Sequence, residues 1–297
     1  MNQQNTSLKQ LFSNISNSSN DPLQKDLWIG WYFSFVCFVV SVIGLILDDR
    51  ILQYVPIWLK PFKFSVSSLI FIGSILYLLK YISNKKFILL TNKIVSYGLM
   101  IELIIIFLQA YRGKMSHFNN QTFEDFILFQ IMAITIVSVW LGFGVYAWKL
   151  FKASEYVDEL IFKGIQVGAV ITFLTMPFAF TMPQPSKTQI QEIIKNKSQI
   201  GLIVGSHTVD EKDPSQTYPL TGWAKTGGDL RIAHFLGLHA LQILPILAFL
   251  LNGMNFTISN KKWILRTTGL FYLLLVVVVL VQALKGVPIL RFLFNGV

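Results

Sequence analysis

Seven long apolar runs punctuate the chain, each bounded by polar or basic residues: Trp28–Leu47, Phe64–Ile82, Ile94–Tyr111, Phe126–Trp148, Gly164–Met182, Ile232–Leu251 and Thr267–Leu284. A helix needs about 20 mostly apolar residues to cross a bilayer. These runs are too long and too many for soluble core helices, and they lack the apolar/polar alternation of membrane barrel strands. The pattern predicts an all-α fold, a polytopic membrane helix bundle with about seven transmembrane helices, whose first partner is the lipid bilayer. Pro177 and Pro245 fall inside the fifth and sixth runs, where the missing backbone donor predicts kinks. Residues 28–297 read as a single seven-helix membrane domain. Residues 1–27 read as a disordered cytoplasmic tail, because the stretch from Asn2 to Asn20 is rich in Asn, Gln and Ser.

Composition agrees with that picture. The chain is 53% hydrophobic and 13% charged, against roughly a quarter charged in a soluble domain. The net charge of +10 would suit a nucleic acid. Here, however, the cations are scattered between apolar stretches, so they read as interfacial anchors and topology signals, with no nucleic-acid partner. Cys37 is the one cysteine, which excludes an intrachain disulfide, a CxxCH haem attachment and a cysteine-ligated cluster. The first 27 residues lack the basic-then-apolar layout of a cleaved signal peptide.

Basic residues in short loops set direction. Lys80, Lys85, Lys86 and Lys93 follow the second run, Lys149, Lys152 and Lys163 the fourth, and Lys261, Lys262 and Arg266 the sixth. All three groups fall on one side. Placing that side in the cytoplasm of a bacterium gives a multi-pass protein of the plasma (inner) membrane with its N-terminus cytoplasmic and its C-terminus outside. The connection 183–231 then lies outside. Within it Ser186 and Gln189 fit a capping box, with Ile190, Ile193 and Ile194 at helical spacing, which predicts a short amphipathic surface helix. From Gly205 to Gly228 the loop is rich in Gly, Pro, Asp, Ser and Thr, as a lid or binding loop of this length would be.

Every histidine falls on the predicted outer side: His117, His207, His234 and His239. Four unusual segments ring that mouth: Trp58-Leu-Lys-Pro-Phe-Lys-Phe64, Arg112-Gly-Lys-Met-Ser-His-Phe-Asn119, Gly205-Ser-His-Thr-Val-Asp210 and the run from Gly228 to Gln242. A pocket between helices opening outward is the expected site. In the Lys-Pro-x-Lys-Phe, Arg-Gly-x-x-Ser-His-Phe-Asn and Gly-Asp-Leu-Arg-x-x-His-Phe-x-Gly-Leu-His-Ala-Leu-Gln segments, the chain resembles a family of uncharacterised bacterial seven-helix membrane proteins. The resemblance spans most of the chain. It implies the seven-helix fold and the choice of residues, and it carries no activity.

Glu102 sits midway along the third run, where a carboxylate is costly and marks function. Val95, Gly98, Glu102, Ile105 and Gln109 share one helical stripe, with Arg112 a turn beyond, so a polar line runs from mid-membrane to the mouth. The structural alternative is a protonated Glu102 bonding a neighbouring helix. His234 and His239 are five residues apart, about 140° around an ideal helix. One metal takes both only if a π-bulge intervenes. Otherwise His239 faces inward with Gln242 while His234 points to the interface. Asp229 suits an N-cap, whereas Arg231 opposes the helix dipole and needs an anion nearby: Asp229, Glu124, Asp125, a lipid phosphate or an anionic substrate. Thr122 and Asp125 resemble a weak capping box, and Lys60 and Lys63 read as headgroup anchors.

The phosphate-binding glycine loop, Gly-x-Ser-x-Gly and His-Glu-x-x-His are absent, and the histidine spacing does not match seven-helix zinc hydrolases. The leading expectation is a membrane-embedded redox or metal-dependent enzyme. Its cofactor would be a haem or a transition metal held by His117, His207, His234 and His239 with Gln242. Arg112 and Arg231 would balance anionic charge, and Glu102 would handle protons. The first alternative is a proton-coupled transporter with Glu102 as its coupling carboxylate. The second is a lipid-binding or assembly factor whose outer cations hold an anionic lipid or small molecule.

Overall fold

The computed structural model describes residues 21–82, 85–153 and 158–295. The tail expected over residues 1–27 therefore lies outside the described residues up to residue 20, and its end already belongs to the first helix. Among the described residues, seven helices are long and apolar enough to cross a membrane. These are α1 (Lys25–Leu47), α2 (Leu59–Leu78, continued by a 3-10 turn Leu79–Tyr81), α3 (Ile88–Tyr111) and α4 (Phe123–Lys152). They continue with α5 (Glu159–Thr175, then a 3-10 stretch Met176–Thr181), α7 (Leu230–Asn252) and α8 (Ile258–Leu284). Two short helices, α6 (Lys187–Asn196) and α9 (Ile289–Asn295), do not span. The chain is a multi-pass membrane protein of the all-α class, in an apolar surrounding that a lipid bilayer provides.

Small residues set how closely the helices approach. In lipid there is no hydrophobic drive between helices, so close backbone packing takes its place. The buried face of α1 is Gly30, Ser34, Cys37, Ser41 and Gly44, and it seats α2 and α3. Gly164 and Gly168 of α5 bring that helix against α7: a Cβ on Gly168 would stand 2.6 Å from the Ala240 carbonyl oxygen. Thr172 completes the contact, its hydroxyl donating to the Gly237 carbonyl at 3.2 Å. The helix breaks at Met176–Pro177 into 3-10 geometry, where the predicted kink falls. Pro245 is accommodated inside α7.

One end of the bundle gathers the long connection. Among the described residues, β3 (Asn119–Asn120) pairs with β4 (Leu202–Ile203) and ties it to the α3–α4 connection, β5 (Thr208–Val209) with β6 (Gly228–Asp229) closes it on itself, and β1 (Ile51–Leu52) with β2 (Val55–Pro56) folds the α1–α2 connection. The predicted capping box of Ser186 and Gln189 is present, and Gln189 also bonds the backbone of Ile203 and Gly205. The 183–231 segment is thus fastened to the α3–α4 connection through β4 and to the start of α7 through the His207 carbonyl, which accepts the Leu230 N–H. It is an organised cap over the helix ends.

Candidate functional site

Beneath that cap lies a void of about 30 Å³, lined among others by Gln53, Lys60, Lys114, Ser116, His117 and His207. Space of this size holds roughly two water molecules. Lys60 reaches it from the start of α2, and Lys63 stands one turn further along the same helix. They sit three apart, hence on one face, and α2 carries neither an acidic residue in its first turn nor a side-chain cap. The expectation that both lysines anchor headgroups at the surface is revised for Lys60: its Nζ lies inside the bundle, 3.0 Å from His117 Nδ1. The Lys63 ammonium donates to the Thr221 carbonyl at 2.8 Å. Neither ammonium has a carboxylate oxygen within 4.0 Å among the described residues.

His117 is held by its own local structure. Phe118 takes a left-handed backbone (φ +63°), uncommon for a bulky residue, and it turns the chain so that its ring is buried between His207 and Phe129. His117 packs on Phe64, and the Ser116 hydroxyl lies 3.1 Å from its Nδ1. His207 arrives from the loop, its ring edge-on to Phe118 with centroids 4.8 Å apart, while its carbonyl accepts the Leu230 N–H that begins α7. Its buried Nδ1 has no partner. Burial, and then the neighbouring cation Lys60, pushes the His117 imidazole well below its usual 6.5. Burial does the same to His207, reinforced by Arg231, Lys60, His117 and Lys63. Both rings are therefore neutral at neutral pH.

Arg231 finds its anion in Asp229. The guanidinium contacts both carboxylate oxygens, at 2.9 and 2.5 Å, and donates to the Gly222 carbonyl at 2.8 Å. The same carboxylate caps α7 by accepting the Arg231 N–H, as the sequence predicts. The turn 218–224 thereby offers two successive carbonyls, Thr221 to Lys63 and Gly222 to Arg231.

Arg112 belongs to a separate, balanced cluster. Asp125, its side chain fully buried, accepts from Arg112 at 3.0 Å, Lys114 at 2.8 Å and Gln109 at 3.0 Å, and its N–H is capped by Thr122. Glu124 adds a second, more exposed contact to Arg112 at 3.3 Å. Two cations meet two carboxylates, so this cluster clamps α3 to α4 and leaves no net charge. The predicted stripe of Val95, Gly98, Glu102, Ile105 and Gln109 is buried as a whole, and Arg112 bonds Gln109. Glu102 accepts the Thr135 hydroxyl at 2.7 Å across to α4 and lies within electrostatic reach of Lys60. The polar line thus exists, but above Glu102 it branches: toward Lys60 and the void, and toward the Asp125 clamp.

The histidines do not converge as a set. Helix α7 is regular α-helix through both His234 and His239, so the π-bulge that would align them is absent. His234, expected at the interface, is the more deeply buried of the two, and its Nδ1 has no partner. His239 lies against Phe235, centroids 4.2 Å apart, on the side where Gln242 donates to Ser74 of α2 at 2.8 Å. Among the described residues no three His, Cys, Asp or Glu side chains stand close enough to share a metal ion. His117 and His207 do meet at one void, and the residue sequence reading undervalued there is Lys60, with Lys63 beside it at the 218–224 turn. Their spacing with Phe64 on one helical face was the available signal.

No family model matches the chain, no curated protein matches it, and no solved structure matches it.

Proposed function

We propose that the protein is a proton-coupled carrier that takes an anionic solute or headgroup into a membrane-embedded pocket at its outer end. The observation that supports this best is the Lys60 ammonium, which borders the void with a neutral imidazole as its hydrogen-bond partner and no carboxylate within 4.0 Å among the described residues. A buried charge is retained at such cost where it is matched by something else, here the ligand. Glu102, in mid-span and within reach of the same ammonium, supplies a carboxylate that balances that charge while the site is empty and takes up a proton when the anion binds. In this reading the 183–231 cap faces outward and the N-terminus is cytoplasmic, as the loop lysines suggest, in a bacterial inner membrane.

A redox or metal-dependent enzyme draws its support from the unpartnered Nδ1 atoms of His207 and His234. It requires a cofactor to gather rings that stand apart in the bundle, so it takes second place.

The test is anion-dependent proton movement in proteoliposomes carrying a trapped pH dye, with chloride, acetate, sulfate and inorganic phosphate as probes. The carrier reading predicts proton entry with at least one anion, abolished in Glu102→Gln and in Lys60→Met. Proton entry no faster than in empty liposomes with every probe, or entry unchanged in both variants, contradicts it.

A further inference from the structure

Helix α6 leaves its apolar side uncovered. Ile190 and Ile194 are 43% and 70% exposed, and no residue of the helix is buried. At about 100° per residue the two isoleucines share one stripe, with Ile193 and then Gln189 turned toward the cap and half-buried. Glu192 stands about 160° around the helix from Ile194, on the opposite side. Lys187 borders the stripe at the start of the helix, and Lys195 and Lys197 follow at its end. None of these three lysines has an ion-pair partner among the described residues, and the helix sets one acid, Glu192, against them.

Hydrogen bonds fix the height of this helix in the molecule. It begins six residues beyond Thr181, where the α5 span ends. The first residue past that span, Met182, accepts the Ser206 N–H at 2.8 Å. Gln189 of α6 donates to the Ile203 and Gly205 carbonyls at 3.1 and 3.3 Å, and its amide oxygen accepts the Gly205 N–H at 3.2 Å. Ile203 lies in β4, paired with Asn119–Asn120, and α4 starts three residues on at Phe123. The helix is therefore tied to the level at which two spans leave the apolar layer. That level is the headgroup region, where an apolar stripe meets acyl chains and lysines meet lipid phosphates. Exposed Phe123, Ile200 and Ile203 extend the apolar surface there.

We propose that α6 is seated in the headgroup region of a bilayer containing anionic lipid. Ile190 and Ile194 lie against acyl chains, and Lys187, Lys195 and Lys197 lie on lipid phosphates, each cation adding to the attraction of an anionic surface. The partner is the lipid surface itself, whatever the void takes up. The consequence reaches the candidate site through Gln189. Its contacts hold Ile203 and Gly205, and His207 follows two residues later at the void. Seating α6 in lipid thus keeps that segment, and His207 with it, closed over the helix ends.

The experiment uses the full chain in nanodiscs, spin-labelled at Ile194→Cys or at Glu192→Cys in a Cys37→Ala background. Collision rates are measured with oxygen and with a water-soluble nickel chelate. Both labelled positions are exposed, so the label displaces no packed side chain. Discs of phosphatidylcholine are compared with discs that also contain phosphatidylglycerol. The proposal predicts that oxygen outcompetes nickel at position 194 and that the order reverses at position 192. It predicts a deeper label at 194 when phosphatidylglycerol is present, a shift lost when Lys187→Gln, Lys195→Gln and Lys197→Gln are combined. Equal nickel access at the two positions puts the stripe in water, and exclusion of both reagents at 194 puts it under protein; either result overturns the proposal. A depth at 194 that ignores phosphatidylglycerol overturns the lysine–phosphate contacts. Hydrogen exchange of the unlabelled chain reads the link to the cap. Ile194→Asp, which expels the stripe from lipid, is predicted to speed exchange of the Val204, Gly205 and Ser206 amides, as Gln189→Ala does. Unchanged exchange at those amides in Ile194→Asp overturns the link.

Discussion

The Nζ of Lys60 lies 3.0 Å from Nδ1 of His117. When Lys60 is an ammonium it only donates, so Nδ1 then accepts and the proton of the neutral ring sits on Nε2. Each residue therefore constrains the other. The lysine selects the tautomer, and the imidazole gives the buried cation its hydrogen bond without giving it a counter-charge. That asymmetry, a solvated-like contact with no neutralisation, is the feature the functional reading is built on.

The neutral histidines make stability depend on acid. His117 and His207 bind protons less readily folded than unfolded, because burial holds both well below 6.5. The unfolded chain then takes up more protons as pH falls below about 6.5, and stability drops with it; above that pH the contribution is complete. The expected loss approaches about 1.4 kcal/mol per pH unit for each ring that stays neutral. Thermal unfolding of the detergent-purified protein between pH 7.5 and 5 checks this. His207→Phe, which keeps a ring against Phe118, is predicted to flatten the slope, and an unchanged slope in that variant counts against it.

The clamp at Asp125 is expected to be structural. Its carboxylate is fully buried and holds Arg112 and Lys114 together. Asp125→Ala leaves two cations without their partner, which costs about 3–5 kcal/mol for a pair of this kind. Thermal unfolding should show that loss directly. Glu124→Ala, on an exposed carboxylate, should cost less than about 1 kcal/mol.

Close packing of α5 on α7 makes a third expectation. A Cβ at Gly168 would meet the Ala240 backbone at 2.6 Å, and backbone cannot rotate away as a side chain can. Gly168→Val should destabilise by about 1–3 kcal/mol or more, through forced separation of the two helices. The same change at Gly201, where a Cβ meets nothing within 4 Å, suffers only from its left-handed backbone (φ +95°). Comparing the two unfolding curves separates crowding from conformational strain.

Sequence pattern carried most of the fold. All seven apolar runs are spans, with ends extended to Lys25, Leu59 and Ile88 where polar residues continue a helix that hydropathy alone cuts short. Spacing also located the Glu102 stripe, the Asp229 cap and the Ser186–Gln189 capping box, because each is set within a few residues of one helix. The lysine pair went unrecognised for the opposite reason. Whether Lys60 points at lipid headgroups or at His117 depends on how α2 meets the α3–α4 connection, 57 residues away in sequence. The Asp125 clamp likewise joins residues from two helices and a loop. The histidines misled because residue type suggested convergence, whereas α7, regular throughout, sends His234 and His239 to different surroundings.

The most direct test of the account is the thermal stability of the purified full chain titrated with chloride, acetate, sulfate and inorganic phosphate, for the wild type and for Lys60→Met. A ligand that binds only the folded state stabilises it by about 2.7 kcal/mol at a concentration one hundred times its Kd. The account predicts saturable stabilisation of the wild type by at least one of these anions. It predicts no such response in Lys60→Met, with the anion-free variant as stable as the wild type or more so, since it has shed a cation that no carboxylate contacts among the described residues. Identical anion responses in the two proteins, or none in either, would contradict it.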